Sequence, residues 1–196
     1  MSISLPSRFS IIPTSFLLAL LPNLAFAHVG AGATHGFAHG AFHPFMGLDH
    51  LLAMVAVGLW ATQLGGKAVW FVPLTFVSVM ALGGLLGMAG IPLPFVELGI
   101  LSSLLIFGLL IATAARLPLI ASSGLVALFA VFHGFAHGAE MPQNASGLNY
   151  AMGFILATVT LHIVGIVVGN SLKSTQWLRW IGASIALFGS ALYFAG

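Results

Sequence analysis

Apolar residues run through this chain in long unbroken blocks, not in the alternating or one-faced patterns of a water-soluble fold. Six blocks follow residue 43, near 44–63, 69–89, 94–114, 117–138, 149–170 and 176–195. Each is about 20 residues long, the length a helix needs to cross a bilayer. Short polar or helix-breaking stretches separate them: Gly65-Gly66-Lys67, Gly90-Ile91-Pro92-Leu93-Pro94, Arg116-Leu117-Pro118, Met141 to Gly147 and Ser171 to Thr175. Connections this short predict that consecutive helices pack as antiparallel neighbours. Ahead of the blocks, residues 1–27 read as an export signal, with Arg8 in the basic n-region, an apolar run from Ser15 to Leu24, and Ala25-Phe26-Ala27 as an A-x-A cleavage site. The pattern predicts an all-α fold: a polytopic membrane helix bundle of six transmembrane helices (44–196), preceded by a signal peptide (1–27) and a His-rich arm (28–43).

Composition agrees. Of 196 residues, 60% are hydrophobic and 4% charged, against roughly 25% charged in soluble domains. Five scattered Lys and Arg form no basic patch, which excludes nucleic-acid binding. The absence of Cys excludes disulfides, thiolate metal sites and cysteine nucleophiles. No phosphate-binding glycine loop is present, and the chain has no room for an ATPase domain. What remains is eight His against three acids.

Charge also orients the bundle. An exported N-terminus places the loops after the first, third and fifth spans in the cytoplasm, and those loops carry Lys67, Arg116 and Lys173, with Arg179 just inside the last span. All basic residues after the signal then lie inside, as the positive-inside rule requires. The same map puts His28, His35, His39, His43, Asp49, His50, Glu97, His133, His137 and Glu140 at or beyond the outer ends of spans. His162 alone lies deeper. An ionisable group within a span costs at least ~2.5 kcal/mol on insertion scales and points to function by default.

Two constellations carry the candidate chemistry. In the first, His43-Pro44-Phe45-Met46-Gly47-Leu48-Asp49-His50, Pro44 suits a first helical position. His43 and His50 are two turns apart, about 10 Å along a straight helix. They reach one ion only if the chain before Pro44 bends back; otherwise they serve successive sites. Asp49 is placed to ligate or to orient an imidazole. In the second, His133-Gly134-Phe135-Ala136-His137-Gly138-Ala139-Glu140, the two His stand at i and i+4 on one face, and Glu140 joins them if the helix continues. No general base lies between the two His, so this is not a metalloprotease motif. His35 to Ala41 repeats residues 133 to 139 letter for letter; with His28 it reads as a metal-gathering arm. Glu97 follows Pro92 and Pro94 at a helix start, where the dipole favours a carboxylate. His162, if functional, marks the route inward. Gly83/Gly87 and Gly165/Gly169 are small-xxx-small pairs for close helix packing. Imidazole and carboxylate without thiolate suit Ni²⁺, Co²⁺, Zn²⁺ or Cu²⁺.

The run from His43 to Trp60 (HPFMGLDHLLAMVAVGLW) together with Phe132 to Glu140 (FHGFAHGAE) resembles the HupE/UreJ family of bacterial nickel/cobalt permeases. The likeness spans the chain, with H-P-x-x-G-x-D-H as its specific motif. It implies a permease of the bacterial cytoplasmic membrane with its mature N-terminus periplasmic, not an enzyme, importing Ni²⁺ first and Co²⁺ next, with Zn²⁺ possible. No prosthetic group is expected, and handover to hydrogenase or urease metallochaperones is implied. By position, His43, Asp49 and His50 match the first motif and His133, His137 and Glu140 the second, with Glu97 a less specific match. Two other classes compete: a membrane-embedded haem or metal-dependent enzyme subunit, and a metal sensor that does not transport.

Overall fold

The computed structural model describes residues 36–141, 146–172 and 176–195. The predicted signal peptide, His28, His35 and Lys173 lie outside the described residues. Among the described residues every regular element is helical: α1 (Gly36–Phe42), a 3₁₀ turn (His43–Phe45), α2 (Leu48–Leu64), α3 (Ala68–Met88), α4 (Val96–Thr113), α5 (Leu119–Ala139), α6 (Gly147–Leu172) and α7 (Gln176–Ala195). Helices α3 to α7 are each long and apolar enough to cross a membrane.

The first span differs from a single helix beginning at Pro44. Helix α2 has 17 residues, about 26 Å of rise, short of a hydrocarbon core of about 30 Å. It meets the segment Gly36–Phe45 at a bend of 79°, and only taken together are the two long and apolar enough to be a sixth candidate span. The bend has a local cause. Pro44 has no N–H to donate, and Gly47, at φ −111° and ψ 118°, is extended as the N-cap of α2. From Gly36 onward, the stretch expected as an arm is therefore helix seated on α6, with Gly40 against the backbone of Tyr150 and Phe154.

Packing does not follow chain order either. The broadest contacts join α3 to α5, α4 to α7 and α2 to α6. Consecutive pairs such as α2 with α3 and α4 with α5 touch less. In α3 and α5, Gly83 faces Val131, Gly84 faces Gly134 and Gly138, and Gly87 faces Phe135 and Ala139, so these helices run parallel. Gly58 and Gly165 likewise bring α2 and α6 together in parallel. In a bilayer the lipid is as apolar as the helices, so close backbone approach at small residues chooses the partner. Helix α2 lies at the centre, with Ala53, Met54, Val57, Leu59 and Trp60 buried. Trp70, Ile120, Leu187 and Phe194 are more than 60% exposed, the lipid-facing surface of the bundle.

The two ends of the bundle differ in chemistry. At one end, the C-terminal carbonyls of α4 are held by side chains: Trp60 Nε1 donates to Ala115 O at 3.1 Å, Gln63 Nε2 to Ile111 O at 3.0 Å and Arg179 Nε to Ala112 O at 2.8 Å. A cation there suits the helix dipole, and Lys67 and Arg116 share this end. The other end gathers the imidazoles.

Candidate metal centre

Three elements bring the His-rich end together: the 3₁₀ turn with the start of α2, the last turn of α5, and the first turns of α6. The 79° bend aims His43 at α5. Helix α5 stays helical through its C-cap: Glu140 has φ −91° and ψ 0°, and its N–H donates to Ala136 O at 3.0 Å. Its carboxylate therefore falls on the face of His137, three residues earlier.

The result joins residues 97 positions apart. His43 Nε2 lies 3.2 Å from Glu140 Oε2. One ligand atom each from His43, His137 and Glu140 lies within 4.8 Å of the others. Both His are buried and Glu140 is partly exposed. Two imidazole nitrogens and one carboxylate oxygen at this spacing can close around a single divalent ion with modest side-chain adjustment.

The imidazoles continue inward as a ladder. The ring of His137 lies 4.8 Å from that of His43 and 4.4 Å from that of His50, and His50 lies 5.1 Å from His133. His43 and His50 thus flank the ring of His137 on two sides of the ladder and do not share one point. Outward, His39 stands 5.7 Å from His43, and both rings lie 5.9 Å from Tyr150.

Hydrogen bonds set which nitrogen of each ring is available. Asp49 Oδ1 accepts from the backbone N–H of His50 at 2.8 Å and lies 3.0 Å from His50 Nδ1. A carboxylate only accepts, so Nδ1 carries the proton and Nε2 keeps the lone pair. That Nε2 is buried and without a hydrogen-bond partner among the described residues. Ser103 repeats the device from α4. Its hydroxyl donates to Ile100 O at 2.6 Å, which leaves Oγ to accept from His133 Nε2 at 3.0 Å. The lone pair of His133 then sits on Nδ1, buried and likewise unpartnered. His50 and His133 each have one nitrogen tied down and the other buried and unpartnered among the described residues, the arrangement that orients metal ligands.

The other expected residues are placed as follows. Glu97 is exposed in the first turn of α4 and is not in the three-ligand group. His39 is half-buried on α1. His162 is buried mid-way along α6, its ring 5.2 Å from that of Phe76. Sequence reasoning did not find Ser103, Tyr150 or Phe76. A serine inside an apolar span is a weak signal, but nothing in its position points to an imidazole 30 residues away. The repeated His-Gly-Phe-Ala-His-Gly-Ala also gains a packing role. Gly134 and Gly138 lie on the backbone of Met80 and Gly84, Gly40 lies on that of α6, and Gly36 on that of Ser146 just before it. Each copy is a small-xxx-small seam with a His beside it.

Comparison with known proteins extends this picture. The profile of the family described as "HupE / UreJ protein" matches residues 16–192. A protein of Rhizobium leguminosarum bv. viciae named "Protein HupE" is 46% identical over 188 residues, covering 94% of this chain and 98% of that one. No solved structure matches.

Proposed function

This chain belongs to the HupE/UreJ family, and from that premise we propose that it is a multi-pass permease carrying a divalent transition metal ion, Ni²⁺ or Co²⁺, inward across the bacterial cytoplasmic membrane. The observation that carries this reading is the convergence of His43, His137 and Glu140 on one point at the end of the bundle. The positive-inside rule makes that end periplasmic, because Lys67, Arg116 and Arg179 occupy the other.

An arriving ion meets His39 first and passes to His43, His137 and Glu140, whose carboxylate supplies the charge that offsets loss of water. His28 and His35 extend this collecting role if they reach the same mouth. His137 neighbours both His43 and His50, so the ion moves inward by exchanging one imidazole for the next without being released to lipid. Asp49 and Ser103 hold His50 and His133 in the ligating tautomer throughout. Glu97 acts at the surface near the mouth, where a carboxylate raises the local cation concentration.

The donor set, imidazole and carboxylate with no thiolate, favours borderline divalent ions. A haem reading is disfavoured, because imidazole rings 4.4 to 5.1 Å apart leave no slot for a porphyrin between them. The decisive experiment is uptake into proteoliposomes containing only this chain, with Ni²⁺, Co²⁺, Zn²⁺ and Mn²⁺ in competition and with or without an imposed potential. Ni²⁺ or Co²⁺ should accumulate and the other two compete more weakly. Wild-type accumulation by His43→Ala, Asp49→Ala and Glu140→Ala would reject the site, and no flux from the pure chain would favour a sensor.

A further inference from the structure

Deeper in the bundle stands a set of donors that the outer group does not use. His162 is 2% exposed, and both ring nitrogens are buried without a hydrogen-bond partner among the described residues. A neutral imidazole carries one N–H and one lone pair, and leaving both unpaired inside protein is unfavourable. Nothing in the helix packing requires it, since an apolar residue would fill the same volume.

Its surroundings form two rungs between α3 and α6. Phe76 and Met80 are one turn apart on α3, and Thr158 and His162 are one turn apart on α6. Phe76 meets His162 edge to face at 5.2 Å and 89°, and the Thr158 hydroxyl donates to Met80 Sδ at 3.7 Å. The same Phe76 ring lies 5.6 Å from that of His133, the innermost member of the ladder. One aromatic ring therefore neighbours two buried imidazoles, each with at least one nitrogen without a hydrogen-bond partner among the described residues. An apolar groove of about 180 Å³, open to the lipid-facing side at Trp70, Leu74 and Ile163, borders His162 and Pro73. Pro73, one turn before Phe76, removes a backbone hydrogen bond from the part of α3 that carries the ring.

We propose that His162, with the Met80 thioether and the Thr158 hydroxyl one turn along the same seam, is an inner station for the same divalent ion, and that Phe76 is the barrier the ion passes to reach it. The proposal rests on the permease reading and extends it inward. One strong donor instead of three makes this station weaker than the outer group, which lets the ion leave on the far side. A thioether is a soft donor, so the station also discriminates against hard ions such as Mn²⁺ and Mg²⁺.

The test uses the purified full chain, with radiolabelled Ni²⁺ in equilibrium dialysis and uptake in proteoliposomes. Wild type should bind one tight and one weaker equivalent. His162→Gln should keep the tight equivalent and lose the weaker, with kcat falling about tenfold or more and KM, set at the outer group, little changed. Met80→Leu should lose discrimination, so that Mn²⁺ competes more strongly for uptake. His162→Gln with both equivalents or with wild-type kcat overturns the proposal and leaves the outer site standing. Absence of the tight equivalent from wild type overturns the outer site as well. Should His162→Gln fail to fold, Thr158→Val carries the test: loss of the weaker equivalent supports the station, and its persistence at full kcat refutes it.

Discussion

Substituting Gly138 by alanine tests whether the seam between α3 and α5 positions the proposed metal centre. A Cβ at Gly138 would collide with the carbonyl oxygen of Gly84 and stand 2.8 Å from its carbonyl carbon and 2.9 Å from its Cα. Carbon atoms rest about 3.5–4.0 Å apart, so the helices must separate by about 1 Å. The obstruction is backbone, which cannot swing aside. Overpacking of this kind costs ~1–3 kcal/mol, partly offset by the ~1 kcal/mol helix preference of Ala over Gly. Stability should therefore fall only slightly. A metal site at His43, His137 and Glu140 is far less tolerant, because ligand distances are held within about 0.2 Å. His137 precedes Gly138 and carries one of three donors within 4.8 Å of each other. A shift of about 1 Å in such a constellation can cost about 100-fold. Isothermal titration of Ni²⁺ against purified protein should show that loss of affinity, with thermal unfolding shifted by only a few degrees. Gly124→Ala is the control on the same helix, since nothing lies within 4 Å of a Cβ there; it should leave affinity unchanged. Wild-type affinity in Gly138→Ala would refute the claim that this seam sets the cage.

Further outcomes follow from individual side chains. Glu140→Gln keeps the shape beside His43 but removes the charge, and should weaken Ni²⁺ binding by about 10- to 100-fold or more while the protein still inserts, as read by titration and membrane fractionation. Ser103→Ala frees His133 Nε2 and with it the choice of tautomer; affinity at the three-ligand group should hold, and uptake kcat should drop about tenfold. Imidazole ligates only as the neutral base, with an ordinary pKa of about 6.5, so protons compete with the ion and affinity should fall as pH drops below about 6. Calorimetric affinity unchanged between about pH 7.5 and pH 5 would exclude imidazole ligation. Gly40→Ala should act like Gly138→Ala from the opposite side, because it lifts α1, and with it His43, off Tyr150.

Much of this protein is written in local chemistry. A bilayer demands about 20 apolar residues per crossing, so the boundaries of α3 to α7 are legible from where Lys, Arg, Pro and Gly interrupt the blocks. Helical periodicity alone puts His133 and His137 on one face, and alternation of spans puts both motifs at one end. What the chain order did not reveal is who meets whom. A helix that is apolar all round has no polar face to say which side turns inward. Short connections favoured sequential neighbours, yet matched glycines joined α3 to α5 and α2 to α6, since backbone approach at small residues outweighs chain proximity where lipid and side chain are equally apolar. That choice, and the bend after Pro44, decided that His43 meets Glu140, that Ser103 holds His133, that Phe76 neighbours both His133 and His162, and that Glu97 stays at the surface. Residue type and spacing determined which donors the protein owns and at which end they gather; only the packing of helices distant in sequence decided which donor neighbours which.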